Sequence, residues 1–214
     1  MLEEILAYGK DYISMITLAP EICDSYIIET IQSHGVVVSA GHSNANYETA
    51  TKFFDNGISV ATHLFNAMSG FLHREPGMVG ALFNHPRAMS SIIVDGHHVN
   101  YHAVKTAKKI MGDRLFCITD AVTSTSTGFY KHNLVGDKYE SEGTLSGSAL
   151  TQLKSVQNLV NHVGLDFAEA VKMCSLYPAR VMQKKEISGS IKIGEAAALV
   201  CLNEKMELIK IVAP

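Results

Sequence analysis

Short apolar runs alternate with segments of helical periodicity through the first 120 residues of the chain. The clearest case is a pair of β-branched runs, Val36–Ala40 and Ile58–Thr62. The first run leads to His42 and the second to His63. Between them, Tyr47–Asn56 has apolar residues at roughly helical spacing and is followed by a glycine, which helices favour just past their end. Strand, helix and strand in this order predict a βαβ unit of a parallel sheet.

The same patterns predict the other elements of the chain. Strands are predicted at Ile13–Leu18, Ser91–Val94 and Leu115–Thr119, and helices at Leu2–Gly9, Ile22–Ser33, Tyr101–Met111, Thr151–His162 and Phe167–Cys174. Residues 69–86 mix Gly, Pro and charged residues with apolar ones and are predicted to form a loop. Residues 122–143 are rich in Ser, Thr and Gly and predict a long loop with room for a hairpin. Residues 187–214 predict short strands separated by turns.

Five of the predicted strands end at one face of the sheet, before Pro20, His42, His63, Asp95 and Asp120. A (β/α)8 barrel needs eight strands and typically about 250 residues. We therefore predict an α/β fold that forms the C-terminal five βα units of a TIM-like barrel over residues 1–186, followed by a tail of strands over residues 187–214. The alternative is an open doubly wound sheet, which would require a Gly-rich phosphate loop where this chain has TLAPE.

Composition argues against several classes of function. Hydrophobic residues make up 47% of the 214-residue chain, which is enough for a sizeable core. The net charge of −3 and the lack of a basic run argue against nucleic-acid binding. No apolar run approaches the roughly 20 residues that cross a membrane. The acidic N-terminus lacks the features of a signal peptide, and the four cysteines are scattered. These features predict a soluble protein of the reducing cytoplasm.

Two histidines and a carboxylate at strand ends are candidates for a metal centre. Because parallel strands bring their carboxyl ends to one face, His42 and His63 are expected side by side there. Neutral imidazole is a common zinc ligand, although two unrelated loop histidines would give the same spacing. Asp120 ends the strand LFCITDA and is a candidate metal ligand or general base. The alternative for Asp120 is a helix N-cap or a hydrogen-bond acceptor in a loop.

Other polar residues near the strand ends suit a small polar ligand. In DGHHV, one imidazole of His97 and His98 is expected to contact a substrate oxygen or phosphate while the other packs. In HLFNAM, the amide side chain of Asn66 and the backbone N–H of Ala67 lie one short turn after a candidate metal ligand. Arg74 in HREPG suits bidentate binding of a phosphate, and a surface salt bridge is the alternative.

A run of small residues precedes the predicted helix at Thr151. It comprises Leu145, Ser146, Gly147 and Ser148, whose backbone N–H groups would bind an anion at the helix N-terminus or only cap the helix. The spacing is not that of a nucleotide P-loop. The histidines that lack a partner pattern are interpreted as structural or solvated; they are His34, His85, His102, His132 and His162.

Eight short blocks occur in an order and spacing that are typical of one enzyme family. They are TLAPE, VVSAGHSNA, ATHLFNAM, REPG, DGHHV, ITDA, GTLSGSAL and LYPAR. Through these blocks the chain resembles the N-acetylglucosamine-6-phosphate deacetylase family, within the metal-dependent amidohydrolases. The resemblance covers nearly the whole chain, which makes it more specific than a single motif. It also implies that the final strands belong to a small β-sandwich.

The resemblance implies hydrolysis of the 2-acetamido group of N-acetylglucosamine 6-phosphate, which yields glucosamine 6-phosphate and acetate. It implies that His42 and His63 bind a divalent metal ion, zinc or iron, and that Asp120 is the catalytic acid and base. It assigns the sugar phosphate to Asn66, Ala67, Arg74, His98 and the run Leu145–Ser148. In the family the arginine reaches into the neighbouring subunit's site, so a homodimer is also implied.

Two features of that family are absent from this sequence. One is a strand-end L-E-G-P block with a metal-ligating glutamate, and the other is a histidine that polarises the amide carbonyl. Glu21 in TLAPE matches a different block that binds no metal. The expectation is therefore a truncated deacetylase. Two alternatives stay open, a non-catalytic fragment that retains the sugar-phosphate pocket and another amidohydrolase that acts on a cyclic amide.

Overall fold

Five short apolar strands form one parallel sheet in which they follow each other in chain order. The computed structural model describes residues 1–128, 131–182, 189–194 and 196–213. The strands of the sheet are β1 (Met15–Leu18), β2 (Val37–Ala40), β3 (Val60–Ala61), β4 (Met89–Ile93) and β5 (Leu115–Ile118). Every neighbouring pair is parallel, and the register places Ser39 of β2 between Thr17 of β1 and Val60 of β3. This is the strand order of consecutive βα units in a barrel wall.

Helices connect and cover these strands. They are α1 (Leu2–Tyr8), α2 (Ser25–Ser33), α3 (Tyr47–Asp55), α4 (Gly77–Asn84), α5 (Tyr101–Met111), α6 (Gln152–Asn158), α7 (Phe167–Cys174) and α8 (Leu176–Met182). Side chains of Asp24, Asn46, Asn100, Thr151 and Asp166 cap the N-termini of α2, α3, α5, α6 and α7. Such a cap bonds an amide that the helix leaves free and typically contributes about 1 kcal/mol. These caps explain where the predicted helices begin.

Helix α4 lies in the segment 69–86, which the sequence pattern predicts as a loop, and that prediction is wrong for Gly77–Asn84. Six of its eight residues are buried, so the helix has almost no polar face and shows no amphipathic period. Arg114 secures its C-terminal end, because its guanidinium donates to the carbonyl oxygens of Leu82 at 3.0 Å and Ala88 at 2.8 Å.

One face of the sheet packs against the helices in a continuous hydrophobic core. Its members include Val38, Ala61, Ile92, Leu115, Ile31, Phe54, Val104 and Met173. Hydroxyl groups occupy the other side near the strand ends, where Thr62 Oγ1 lies 2.9 Å from Thr17 Oγ1 and 2.6 Å from Ser39 Oγ. The strands are therefore anchored by apolar packing on one face and present polar groups on the other.

A second, antiparallel sheet follows β5. Its strands are β6 (Asn133–Val135), β7 (Lys138–Ser141) and β8 (Thr144–Ser148), so the hairpin expected in this region is present. The run Leu145–Ser148 precedes α6, as predicted, but it does not cap this helix. These residues are strand, and α6 begins later, after its cap Thr151. β8 returns to the end of β5, because the Ser148 backbone N–H donates to the carbonyl oxygen of Asp120 at 3.0 Å.

Strands also form near the C-terminus, as predicted. β9 (Leu199–Leu202) and β10 (Leu208–Val212) make an antiparallel pair. The side-chain amide of Gln157 donates to the carbonyl oxygen of Met206 at 2.9 Å, which ties the turn of this pair to α6. The predicted boundary between residues 186 and 187 lies outside the described residues. The assignment of β9 and β10 to a separate β-sandwich domain stays a prediction.

Candidate active site

The polar residues at the ends of β2, β3 and β5 share an unusual backbone conformation. His42, His63 and Asp120 have φ angles of 51°, 41° and 49°. The left-handed region disfavours residues with a Cβ atom by about 1 to 2 kcal/mol each. Such conformations persist only where the surrounding structure imposes them, and they cluster at functional sites. Three of them at strand ends of one parallel sheet therefore mark this face of the sheet.

The two histidines meet at this face. Their Nε2 atoms lie 3.0 Å apart, and their rings are nearly perpendicular with centroids 4.7 Å apart. His63 is buried, and its Nδ1 has no hydrogen-bond partner among the residues that the structure describes. Burial lowers the pKa of the His63 imidazole below its ordinary value, His42 lowers it further, and the Asp120 carboxylate opposes both. His63 is therefore neutral at pH 7, which is the form that binds metals.

The histidine pair fits two positions of a metal centre. Two nitrogens that bind one tetrahedral zinc at about 2.1 Å lie roughly 3.4 Å apart. The Nε2 separation of 3.0 Å is close to this distance. Within the described parts of the chain, no three His, Cys, Asp or Glu side chains come close enough together to hold a metal ion. The described residues thus bring two imidazole nitrogens to the spacing of zinc ligands, with no third potential ligand grouped with them.

Asp120 stands beside this pair as an exposed carboxylate. Residues 121–128, which directly follow it, form no helix, so the alternative of a helix N-cap is wrong. Instead, Ala121 bridges to Ser148 of β8, whose hydroxyl donates to the carbonyl oxygen of Thr119. The backbone on both sides of Asp120 is therefore fixed while its carboxylate faces solvent. This arrangement suits proton transfer to or from a bound ligand.

The loop after β3 is tightly wound. Phe65 and Ala67 have φ angles of 75° and 45°, and the backbone N–H of Asn66 donates to the carbonyl oxygen of His63 at 2.9 Å. The side-chain amide of Asn66 donates to the carbonyl oxygen of Leu64 at 3.2 Å. Ala67 is exposed. The loop thus presents Asn66 and Ala67 one turn beyond the histidine pair, as the sequence predicts.

His98 lies at the end of β4 in a carboxylate pair. Its Nδ1 lies 2.6 Å from Asp95 Oδ2, and both side chains are almost fully buried. Burial would raise the pKa of Asp95, but hydrogen bonds from the His98 ring and from the backbone N–H groups of His98 and His97 hold it below its usual range. His97 is exposed and lies 2.8 Å from Asp137 in the turn between β6 and β7. Of these two imidazoles, His98 is therefore the one that buried contacts hold in place.

Of the remaining candidates, Arg74 lies in a turn and the run Leu145–Ser148 lies in strand β8. Arg74 is exposed at the tip of a turn that reciprocal backbone hydrogen bonds of Leu72 and Glu75 close. Among the described residues it has no ion pair, so the surface salt bridge that is the alternative for it does not form. In β8, the hydroxyl of Ser146 pairs with His132 Nδ1 at 2.9 Å.

Two carboxylates near the site make hydrogen bonds that the sequence does not predict. Asp95 supports His98, and Glu21 accepts hydrogen bonds from Ser43 and Asn44, next to a candidate metal ligand. The spacing D-G-H-H at a strand end is a usable signal for the first, because a residue three positions before a histidine reaches it in a tight turn. For Glu21 the sequence gives only its position in TLAPE, and this position does not indicate which residues the carboxylate contacts.

The chain also matches known proteins. The Amidohydrolase family matches residues 24–212. N-acetylglucosamine-6-phosphate deacetylase of Haemophilus influenzae is 35% identical over 97% of this chain and 57% of that protein. N-acetylgalactosamine-6-phosphate deacetylase of Escherichia coli is 32% identical over 98% of this chain and 58% of that protein. The crystal structure of N-acetylglucosamine-6-phosphate deacetylase from Pasteurella multocida superimposes with a TM-score of 0.92, at 34% identity over 99% of this chain and 58% of that chain.

These matches agree with the sheet and confirm the predicted α/β fold class, with five strands in the order of a partial TIM-like barrel. The chain spans a little over half the length of the relatives that it matches. None of the described helices is long and apolar enough to cross a membrane. The family match extends over most of the chain and includes all three residues with positive φ at the strand ends. The chain therefore belongs to the amidohydrolase family.

Proposed function

We propose that this chain carries part of the active site of a deacetylase that converts N-acetylglucosamine 6-phosphate to glucosamine 6-phosphate and acetate. The observation that carries the proposal is the 3.0 Å approach of His42 and His63 beside Asp120, at the carboxyl ends of parallel strands. Amidohydrolase membership and relatives named for this reaction support it. Amide hydrolysis needs an activated water and a group that moves protons, and this set of residues suits both tasks.

A divalent metal ion, zinc or iron, would be held by Nε2 of His42 and of His63, together with a ligand that the described residues do not supply. Such an ion activates water near neutral pH and polarises the amide carbonyl. The lowered pKa of His63 supports this role, because it keeps the imidazole neutral and its nitrogen free to bind.

Asp120 would act as the general base and then as the general acid. Its carboxylate is exposed at the end of β5, and its negative charge acts to raise the pKa of the His63 imidazole. In that position it takes a proton from the attacking water and returns it to the nitrogen of the departing amine. The rigid backbone around it keeps the carboxylate in place during both transfers.

The sugar phosphate would be bound by donors from several strand ends. His98, held by Asp95, directs Nε2 to the ligand, and Asn66 with the backbone of Ala67 contributes from the loop after β3. The run Leu145, Ser146, Gly147 and Ser148 contributes from β8 instead of from a helix terminus. Binding energy from the remote phosphate helps to orient the reacting amide.

We further propose that the protein acts as a homodimer in which Arg74 binds the phosphate in the partner's site. The exposed position of Arg74 at a turn tip, with no ion pair in the described residues of its own chain, supports this proposal. A location in the cytoplasm is also part of the proposal, and the four free cysteines support it.

N-acetylgalactosamine 6-phosphate is a second candidate substrate, because a relative at 32% identity is named for its deacetylation. The two sugars differ only in the orientation of one hydroxyl. A comparison of kcat/KM for both substrates in the same assay distinguishes them. A cyclic amide is disfavoured because Arg74 and the β8 run suit an anionic ligand.

The experiment that tests the function is release of glucosamine 6-phosphate by the zinc-loaded chain and by its Asp120→Asn variant. We expect kcat to fall by about 10²- to 10⁴-fold in the variant with substrate binding retained, because asparagine keeps the shape but cannot accept the proton. Asp113→Asn is the matched control, because Asp113 pairs with Arg180 at the opposite end of β5. Full turnover in Asp120→Asn would contradict the role of Asp120, whereas substrate binding without turnover by the unaltered chain would favour the non-catalytic alternative.

A further inference from the structure

Glu21 connects the first strand end to the loop that carries His42. It lies in a short 3-10 turn, Pro20–Ile22, directly after β1. Its Oε2 accepts the hydroxyl of Ser43 at 2.8 Å, and its Oε1 accepts the backbone N–H of Asn44, also at 2.8 Å. Both carboxylate oxygens are thus engaged by consecutive residues of another loop. Hydrogen bonds to a charged acceptor are about twice as strong as neutral ones.

Ser43 connects Glu21 to the loop after β3. It is almost fully buried, forms a parallel bridge with Met68, and its carbonyl oxygen accepts the backbone N–H of Ser69 at 3.2 Å. The hydroxyl of Ser69 in turn donates to the carbonyl oxygen of Ala45. The ends of β1, β2 and β3 are therefore linked by one network that surrounds the histidine pair without including either imidazole.

The backbone of His42 needs such restraints. It has a φ angle of 51°, and its own side chain is exposed, so packing of the imidazole does not impose this conformation. On the N-terminal side, Gly41 is pressed between strands, since a Cβ there would lie 2.7 Å from Thr17 Cγ2 and 3.0 Å from Thr62 Cβ. On the C-terminal side, Glu21 holds the next two residues. The backbone of His42 is thus restrained on one side by the close packing of Gly41 and on the other side by the hydrogen bonds of Glu21.

The geometry argues against Glu21 as a metal ligand. Its two oxygens are bonded to Ser43 and Asn44, and no group of three potential ligands forms within the described ranges of the chain. A carboxylate that bonds the flanks of a ligand, rather than the metal, acts by fixing where that ligand points. Such supporting contacts typically change metal affinity by about 10- to 100-fold.

We infer that Glu21 is a positioning residue that holds His42 in the conformation in which its Nε2 meets that of His63. The inference rests on the proposed function, since it assumes that the histidine pair binds a metal. It assigns a role to the TLAPE block that the deacetylase mechanism above does not use. It also predicts that the carboxylate is needed for metal affinity although it touches no metal.

The test compares the unaltered chain with Glu21→Ala, Glu21→Gln and the control Glu29→Gln, which changes an exposed glutamate on α2. Zinc affinity is measured by competition with a chromophoric chelator, and the hydrogen-exchange rate of the Asn44 amide is measured on the metal-free protein. We expect zinc binding about 10-fold weaker in Glu21→Ala and a smaller loss in Glu21→Gln, because glutamine retains one acceptor. The Asn44 amide should exchange faster in both, and Glu29→Gln should change neither quantity.

Unchanged zinc affinity together with an unchanged Asn44 exchange rate in Glu21→Ala overturns the inference. If the alanine variant does not fold, the isosteric Glu21→Gln decides by the same two measurements. Failure of the unaltered chain to bind zinc contradicts the proposed metal site instead. In that case the metal part of the inference falls with it, and the exchange rate of Asn44 still decides whether Glu21 holds the loop.

Discussion

Left-handed backbone at the three strand ends places side chains where an extended strand would not. A strand that simply continued would send successive side chains to opposite faces of the sheet. At His42, His63 and Asp120 the backbone is left-handed instead, so these three side chains leave the alternation of an extended strand. The network around Glu21 and the β8 contacts near Asp120 hold two of these turns. The conformational cost at the site is thus offset by contacts of residues that touch no ligand.

Residue-scale contacts also predict how stability depends on pH. His85 is buried, and its Nδ1 accepts the backbone N–H groups of Ala88 at 2.8 Å and Arg87 at 3.3 Å. Burial lowers the pKa of His85 below its ordinary value, and the Asp55 carboxylate opposes this only in part. The unfolded chain therefore binds a proton at higher pH than the folded chain does. The contribution of neutral His85 is complete above about pH 6.5 and is lost as the pH falls through the folded-state pKa.

Urea unfolding at pH 7.5 and at pH 5 checks this expectation when His85→Asn is compared with the unaltered chain. Asparagine retains an acceptor near the position of Nδ1 but cannot be protonated, so the variant should lose less stability between the two pH values. Titrating groups that do not interact with His85 contribute equally to both proteins and cancel in the comparison. An identical loss in both proteins would show that His85 does not contribute to the pH dependence.

At the residue scale, the proximity of His42 and His63 could be predicted from the sequence, but the contacts that hold these residues in place could not. Alternating strands and helices predict parallel strand ends, and this is enough to bring His42 and His63 together. The positive φ angles, the hydrogen bonds of Glu21 and the pairing of His98 with Asp95 depend on contacts between loops. A single sequence carries little information on which loop a carboxylate will reach. The role of Arg74 depends on a second chain and stays a prediction.

Among elements, amphipathic helices were predictable and the buried one was not. Helices α3 and α5 each have a polar and an apolar face, which gives a clear period of 3.6 residues. Capping residues mark where both helices begin. Helix α4 is buried nearly all round, and its first residue Gly77 and its internal Gly80 allow close packing instead of marking a loop. β8 was missed for a related reason, because its small residues Ser146, Gly147 and Ser148 are typical of turns as well as of close-packed strands.

The pair β9 and β10 is expected to be the least protected sheet in the described chain. Large apolar side chains of Val200, Leu208, Ile209 and Ile211 are more than half exposed. Two-stranded sheets are only marginally stable without further packing. Hydrogen exchange followed by mass spectrometry should show much faster exchange in these strands than in β4, whose residues are mostly buried. Equal protection in both regions would mean that the C-terminal pair unfolds together with the barrel wall and is not a separate domain.

At the scale of the whole molecule, the sheet has two ends. Within the described residues β1 pairs only with β2, and β5 pairs only with β4. Closed barrels have no such edges, and exposed edges favour association with other chains or segments. The strand order was predictable because connections of this length and type join neighbouring parallel strands.

Association into a homodimer is the expectation at this scale. Sedimentation equilibrium should give a mass of twice the 23.3 kDa of one chain, and this mass should persist in Arg74→Ala if Arg74 serves the neighbouring site rather than the interface. Sedimentation at the mass of one chain, at high micromolar concentration, would contradict the dimer.

Mixing two inactive variants, Asp120→Asn and Arg74→Ala, tests whether each site uses Arg74 of its own chain or Arg74 of the partner chain. If the site is shared, each mixed dimer contains one site with neither change. About a quarter of the wild-type turnover should then return, because about half of the randomly formed dimers are mixed and each of these has one working site. No recovery would place Arg74 in the site of its own chain.

The sequential strand order has a consequence for synthesis on the ribosome. Each strand of the sheet pairs with the strand made just before it, so the sheet can grow in the direction of translation without waiting for distant segments. His42 and His63 can approach each other as soon as β3 and its loop have docked on β2. Asp120 joins them only after β4 and β5 have been added, and β8 later fixes its backbone. Assembly of this face therefore begins with the histidine pair and ends with the carboxylate.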